Sequence, residues 1–91
     1  MRTGGNDMRI RFHEDIPDLT GETATAIMWK WGRLLGWSEA RFLTPTEVKT
    51  IVARFALGFY RVHLPEGAAT MSDADFLTAL AHTGLIQVIL E

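Results

Sequence analysis

The spacing of apolar residues changes along the chain, and each change marks an element. Met8-Arg9-Ile10-Arg11-Phe12-His13 alternates apolar and polar positions, the period-two signature of a half-buried strand. Residues 14–18, with Pro17, read as an acidic loop. The apolar spacing then lengthens to three and four. Ala24, Ile27, Met28, Trp31, Leu34 and Leu35 form one stripe along a first helix that runs to Gly36, with Thr20 as N-cap and Glu22 in the first turn. After a connection over Trp37–Thr44, Thr44-Pro45-Thr46-Glu47 opens a second helix with the clearest local signal in the chain. It is a capping box, with proline at the first helical position, where its missing N–H costs nothing. Val48, Ile51, Val52, Phe55, Phe59 and Val62 make the core stripe of that helix, and Leu64-Pro65-Glu66-Gly67 breaks it. Ser72-Asp73-Ala74-Asp75 caps a third, shorter helix that turns Phe76, Leu77 and Leu80 inward and stops at Gly84. Leu85-Ile86-Gln87-Val88-Ile89-Leu90 is apolar enough for a well-buried strand.

The pattern predicts a small α+β domain of order β-α-α-α-β over residues 8–91, preceded by a Gly-rich, polar tail at residues 1–7 that has nothing to bury. The strands stand at opposite ends of the chain and are expected to pair, with the helices on one face. A two-stranded ribbon is marginal in water, and an apolar strand with a free edge invites pairing. Two protomers joining strand edges into a four-stranded sheet is therefore an expectation, set against helices that simply cover both strands.

Composition narrows the function classes. The 91 residues are 47% hydrophobic and 22% charged with a net charge of −2, which fits a folded chain and excludes wholesale disorder or a polycation. There is no cysteine, so disulfides, thiolate metal sites and a cysteine nucleophile are ruled out. No apolar run approaches the roughly 20 residues that span a bilayer, and residues 1–7 do not resemble a signal peptide. A cytoplasmic location without a membrane partner is expected.

Catalytic chemistry finds little support. The two serines are Ser38 and Ser72, and Ser72 is explained as an N-cap. No Gly-x-Ser-x-Gly elbow is present, and the glycines match neither a Walker loop nor Gly-x-Gly-x-x-Gly. His13, Glu14 and Asp15 are the one dense group of possible metal ligands, but His63 and His82 lie in unrelated segments near helix C-termini, where a cation is favoured. No enzyme, metal or cofactor is expected.

Aromatic and basic residues carry more. Trp29 falls on the side of the first helix away from the stripe that contains Trp31, with Arg33 one turn on and Gly32 and Gly36 four apart, where another backbone can approach closely. On the second helix, Leu57 and Tyr60 fall away from the core stripe beside Arg54 and Arg61. A helix that is apolar on more than one face is either central in its own domain or part of an intermolecular surface. Residues 27–63 carry a net charge of +4, residues 64–91 one of −4 and the first 26 one of −2; the favoured expectation is that the acidic ends complement the basic middle within the domain. The helix connections are too long for a helix-turn-helix.

The favoured expectation is a non-enzymatic protein-interaction module (adaptor, regulator or inhibitor), with a homodimer through strand edges as a further expectation. Its partner-binding residues are Trp29, Arg33, Trp37, Arg41, Leu57, Tyr60 and Arg61. The alternative is a nucleic-acid-binding protein using Lys30, Arg33, Lys49, Arg54 and Arg61.

Overall fold

A computed structural model describes residues 7–12, 16–36 and 42–90. Strand β1 spans Met8–Phe12, β2 Leu19–Gly21 and β3 Ile86–Leu90; helix α1 spans Ala24–Gly36, α2 Pro45–Tyr60 and α3 Asp73–Thr83, with a 3-10 turn at Ala68–Thr70. The strands form one antiparallel sheet in the order β2-β1-β3. The fold is the predicted α+β architecture, with the terminal strands paired as expected: Ile10 stands opposite Val88 and Phe12 opposite Ile86. Alternation along β1 sends Met8, Ile10 and Phe12 towards the helices and Arg9 and Arg11 to the opposite face, where both reach Asp18, at 3.6 and 3.3 Å.

The sheet has a third strand that the pattern does not announce. Residues 19–21 are too few to show a period, and Thr20, expected to cap α1, sits instead in β2 opposite Arg9. Glu22 precedes the helix, α1 begins at Ala24, and Thr23 Oγ1 accepts the Ala26 amide at 3.1 Å. β2 covers one side of β1, so the ribbon that motivated a four-stranded dimer is already three-stranded.

The other caps form as predicted. Thr44 Oγ1 accepts the Glu47 amide at 3.2 Å while Glu47 Oε1 accepts the Thr44 amide at 2.9 Å. Ser72 caps α3 by accepting the Asp75 amide at 3.1 Å, and Gly84 closes it with φ 86°. Ile10, Ile27, Met28, Val48, Phe76, Leu77 and Leu80 make the fully buried centre of the core.

Two stripes end sooner than the spacing implies. Leu34 is exposed, because it lies at the edge of the α1 stripe, whereas Trp31 is buried and meets Phe12 edge-on at 5.2 Å. On α2, Val48 and Val52 are buried, but Phe55 and Phe59, one and two turns further along the same stripe, are 46% and 72% exposed. The stripe keeps its angular position; the body beneath it ends. The last turns of α2 therefore run past the core with their apolar side uncovered.

A buried polar clip ties the helices together. Lys49, only 6% exposed, pairs with Asp73 at 2.9 Å and donates to the Met71 carbonyl at 2.6 Å. Thr25 Oγ1 donates to the other Asp73 oxygen at 2.7 Å, so one carboxylate joins α1, α2 and α3. Burial pushes the Asp73 carboxyl up, but the Thr25 hydroxyl and the Lys49 ammonium together bring it below its ordinary 3.8. No helix among the described residues is long and apolar enough to cross a membrane.

Candidate functional site

The uncovered side of α2 forms one wall of an apolar groove of about 530 Å³. Phe12 and Trp31 lie at its base, held by their edge-on contact. Phe55, Phe59 and Tyr60 form the α2 wall, with the Phe55 and Phe59 rings 5.3 Å apart. Leu80, Leu85 and Ile86, from the end of α3 and the start of β3, form the facing wall. Two core elements thus fix the base, while the α2 wall stands partly in solvent.

The end of α2 is closed by an arginine. Val62 N donates to the Ala56 carbonyl at 2.9 Å, and between them Arg61 takes the left-handed conformation, φ 55° and ψ 35°. This six-to-one bond with a left-handed residue inside it is the usual helix-terminating motif, in which glycine avoids a Cβ penalty. Arg61 is the sole non-glycine residue with positive φ among the described residues. Its side chain is exposed, as is that of Arg54.

The predicted binding residues divide into two places. Leu57, Tyr60 and Arg61 gather at the free end of α2; Tyr60 lines the groove, Leu57 is exposed and Arg61 caps the helix. Trp29 and Arg33 lie on the outer side of α1 and line no part of the groove; Trp29 is 45% exposed. The Arg33 guanidinium sits over the Phe42 ring, 5.3 Å from its centroid. Trp37 and Arg41 lie outside the described residues, as do His13, Glu14 and Asp15.

The backbone that approaches Gly32 belongs to the chain itself. A Cβ at Gly32 would collide with the Leu43 carbonyl, and Leu43 N donates to the Gly32 carbonyl at 3.4 Å. The close approach is thus an internal seam. Lys49, counted among residues for contacting phosphate, is committed to the clip with Asp73. Lys30 donates to the Thr20 carbonyl, anchoring α1 to β2. Among the described residues, no group of three or more His, Asp or Glu is placed to hold a metal ion.

No known family model, curated protein or solved structure matches this chain.

Sequence reasoning assigned Phe55 and Phe59 to the core and left Leu80, Leu85 and Ile86 without a role beyond it. One signal was present. Phe55, Ala56, Leu57, Phe59 and Tyr60 make the last turns of α2 apolar over more than half of the helix circumference, more than one buried face can absorb.

Proposed function

We propose that this protein is a non-enzymatic interaction module of the cytoplasm, acting as an adaptor, regulator or inhibitor through the groove beside the free end of α2. One observation carries the reading: Phe55, Leu57, Phe59 and Tyr60 are all exposed within the last turns of one helix, next to an apolar groove. Single exposed apolar residues are ordinary, but contiguous aromatic surface has the composition of a binding hot spot. Trp29, Arg33 and Phe42 form a separate, smaller patch that would extend the contact.

Nucleic acid is the second reading, because Arg54 and Arg61 flank exposed rings on which bases can stack. It is the weaker one, since Lys49 is neutralised internally and neither Arg54 nor Arg61 lines the groove. A strand-edge homodimer would use the outer edge of β3, the longer of the two edge strands, because β1 is paired on both sides.

Capture from host lysate on immobilised wild type, Phe59→Ser and Trp29→Ala, each with and without nuclease, tests the reading. A protein retained by wild type through nuclease treatment and lost with Phe59→Ser is the expected result. Equal retention by wild type and Phe59→Ser, or recovery that requires intact nucleic acid, would overturn it.

A further inference from the structure

We infer that the outer edge of β3 pairs with the same edge of a second copy, centred on Val88, and joins two sheets into one of six antiparallel strands. The inference goes beyond the groove reading and stands on a different part of the fold. The strand order β2-β1-β3 leaves β3 paired on one side. Among the described residues, no other segment hydrogen-bonds to its outer side. An edge strand carries a row of unpaired N–H and C=O groups, and monomeric proteins blunt such rows with lysine, proline, a bulge or an inward-pointing charge. β3 uses none of these. Ile86–Leu90 holds no charged residue and no proline, and its register against β1 runs unbroken from Phe12 opposite Ile86 to Met8 opposite Leu90. The other edge of the sheet, β2, is three residues long, the short kind of edge that resists pairing.

Self-complementarity identifies the occupant as a second copy. Two identical strands paired about a two-fold axis run antiparallel, and directly opposed residues share one face of the sheet. Ile86, Val88 and Leu90 face the helices, because their partners on β1 are Phe12, Ile10 and Met8. An axis between two residues would oppose a helix-side residue to one on the open face, so the axis passes through a residue. At Val88 all five residues of the strand find partners. Val88 then meets Val88, Ile86 meets Leu90, and Gln87 meets Ile89. No charge meets its like along this row. Leu90, 71% exposed, gains Ile86 of the second copy as an apolar cross-strand neighbour.

Other pairings use the edge less well. β3 against β2 of another copy would match at most three residues and leave a free edge at each end, an open chain rather than a closed pair. An unrelated extended peptide could meet the same backbone, but no residue of β3 carries a charge to select it. The closed dimer consumes both β3 edges and leaves the short β2 edges outermost.

Sedimentation equilibrium of the full 91-residue chain from dilute to concentrated solution tests the inference. A monomer–dimer equilibrium is the expected result. Gln87→Glu/Ile89→Glu sets the new carboxylates beside Arg11 and Arg9 on the neighbouring strand of their own chain, and opposite their like across the axis. The fold is therefore kept, as thermal melts confirm, while dimer affinity falls about tenfold or more. Gln87→Lys/Ile89→Lys should weaken self-association likewise, and an equimolar mixture of the two variants should form a mixed dimer. Val88→Cys reads the register. The chain has no other cysteine, so oxidation should cross-link Val88→Cys more readily than Gln87→Cys or Ile89→Cys. A monomer at every concentration, or a dimer unmoved by either charge variant, would overturn the inference. So would Gln87→Cys or Ile89→Cys cross-linking ahead of Val88→Cys, or assembly that grows beyond a dimer. Phe59→Ser leaves this edge untouched, so a dimer lost in that variant would place the interface at the groove instead.

Discussion

Asp73 accepts from Thr25 and pairs with Lys49, and removing its charge leaves an ammonium buried without a counterion. Asp73→Asn should therefore cost about 3–5 kcal/mol, measured by urea denaturation, and a Lys49→Met partner substitution should recover much of it. The pH dependence follows from the lowered carboxyl. A group whose native value is depressed contributes stability above its unfolded value and loses it as pH falls through the native one. The melting temperature should thus be insensitive to this carboxyl above about pH 5 and fall below its ordinary 3.8, and that component should vanish in Asp73→Asn. Gly32 makes a different demand: Gly32→Ala drives a methyl into the Leu43 carbonyl, so the seam must open and denaturation should show a loss above the roughly 1 kcal/mol typical of point substitutions. Arg61→Gly should do the reverse, raising stability by about 1 kcal/mol in the same denaturation measurement through relief of a left-handed non-glycine residue. Of these residues, the sequence showed Asp73 only as part of a cap. Its pairing with Lys49 joins two helices through tertiary packing, and no local spacing records that.

At the scale of elements, α2 is two helices in one. Its first half, from the capping box to Val52, packs on the core; its second half carries Phe55 and Phe59 into solvent. Phe59→Ser should leave the denaturation midpoint within about 0.5 kcal/mol of wild type, whereas Trp31→Ala should cost about 3–5 kcal/mol. Such a contrast between two aromatics, both read as core from their spacing, would separate surface from support. Helices and long strands were legible because caps and periodicity are local. Thr44-Pro45-Thr46-Glu47 and Ser72 through Gly84 do in the structure what their chemistry implies. β2 was not legible, because three residues, Leu19–Gly21, carry no period and are held by pairing with β1. Nor does a stripe reveal how far its neighbour extends, and so the groove escaped notice although Val52, Phe55, Phe59 and Tyr60 had been singled out as apolar or aromatic.

For the molecule as a whole, the core forms from three helices on one face of a sheet whose central strand is β1. The pairing Met8 with Leu90 and Ile10 with Val88 brings together residues about eighty positions apart, while Ile10 with Leu19 is nearly local. Closing the longer loop costs more chain entropy before any contact repays it. The hairpin of β1 and β2 and the packing of α1 on α2 should therefore organise first, with β3 docking last. The order has a kinetic signature. Ile86→Val should accelerate unfolding and leave the refolding rate nearly unchanged, because a late-forming contact is absent from the transition state. Until β3 arrives, one edge of β1 and the floor beneath Phe12 are open, and the facing wall of the groove, which needs Leu85 and Ile86, is missing. The binding surface is thus completed only by the final step of folding, so a chain arrested short of that step would hold native helices and yet recognise nothing.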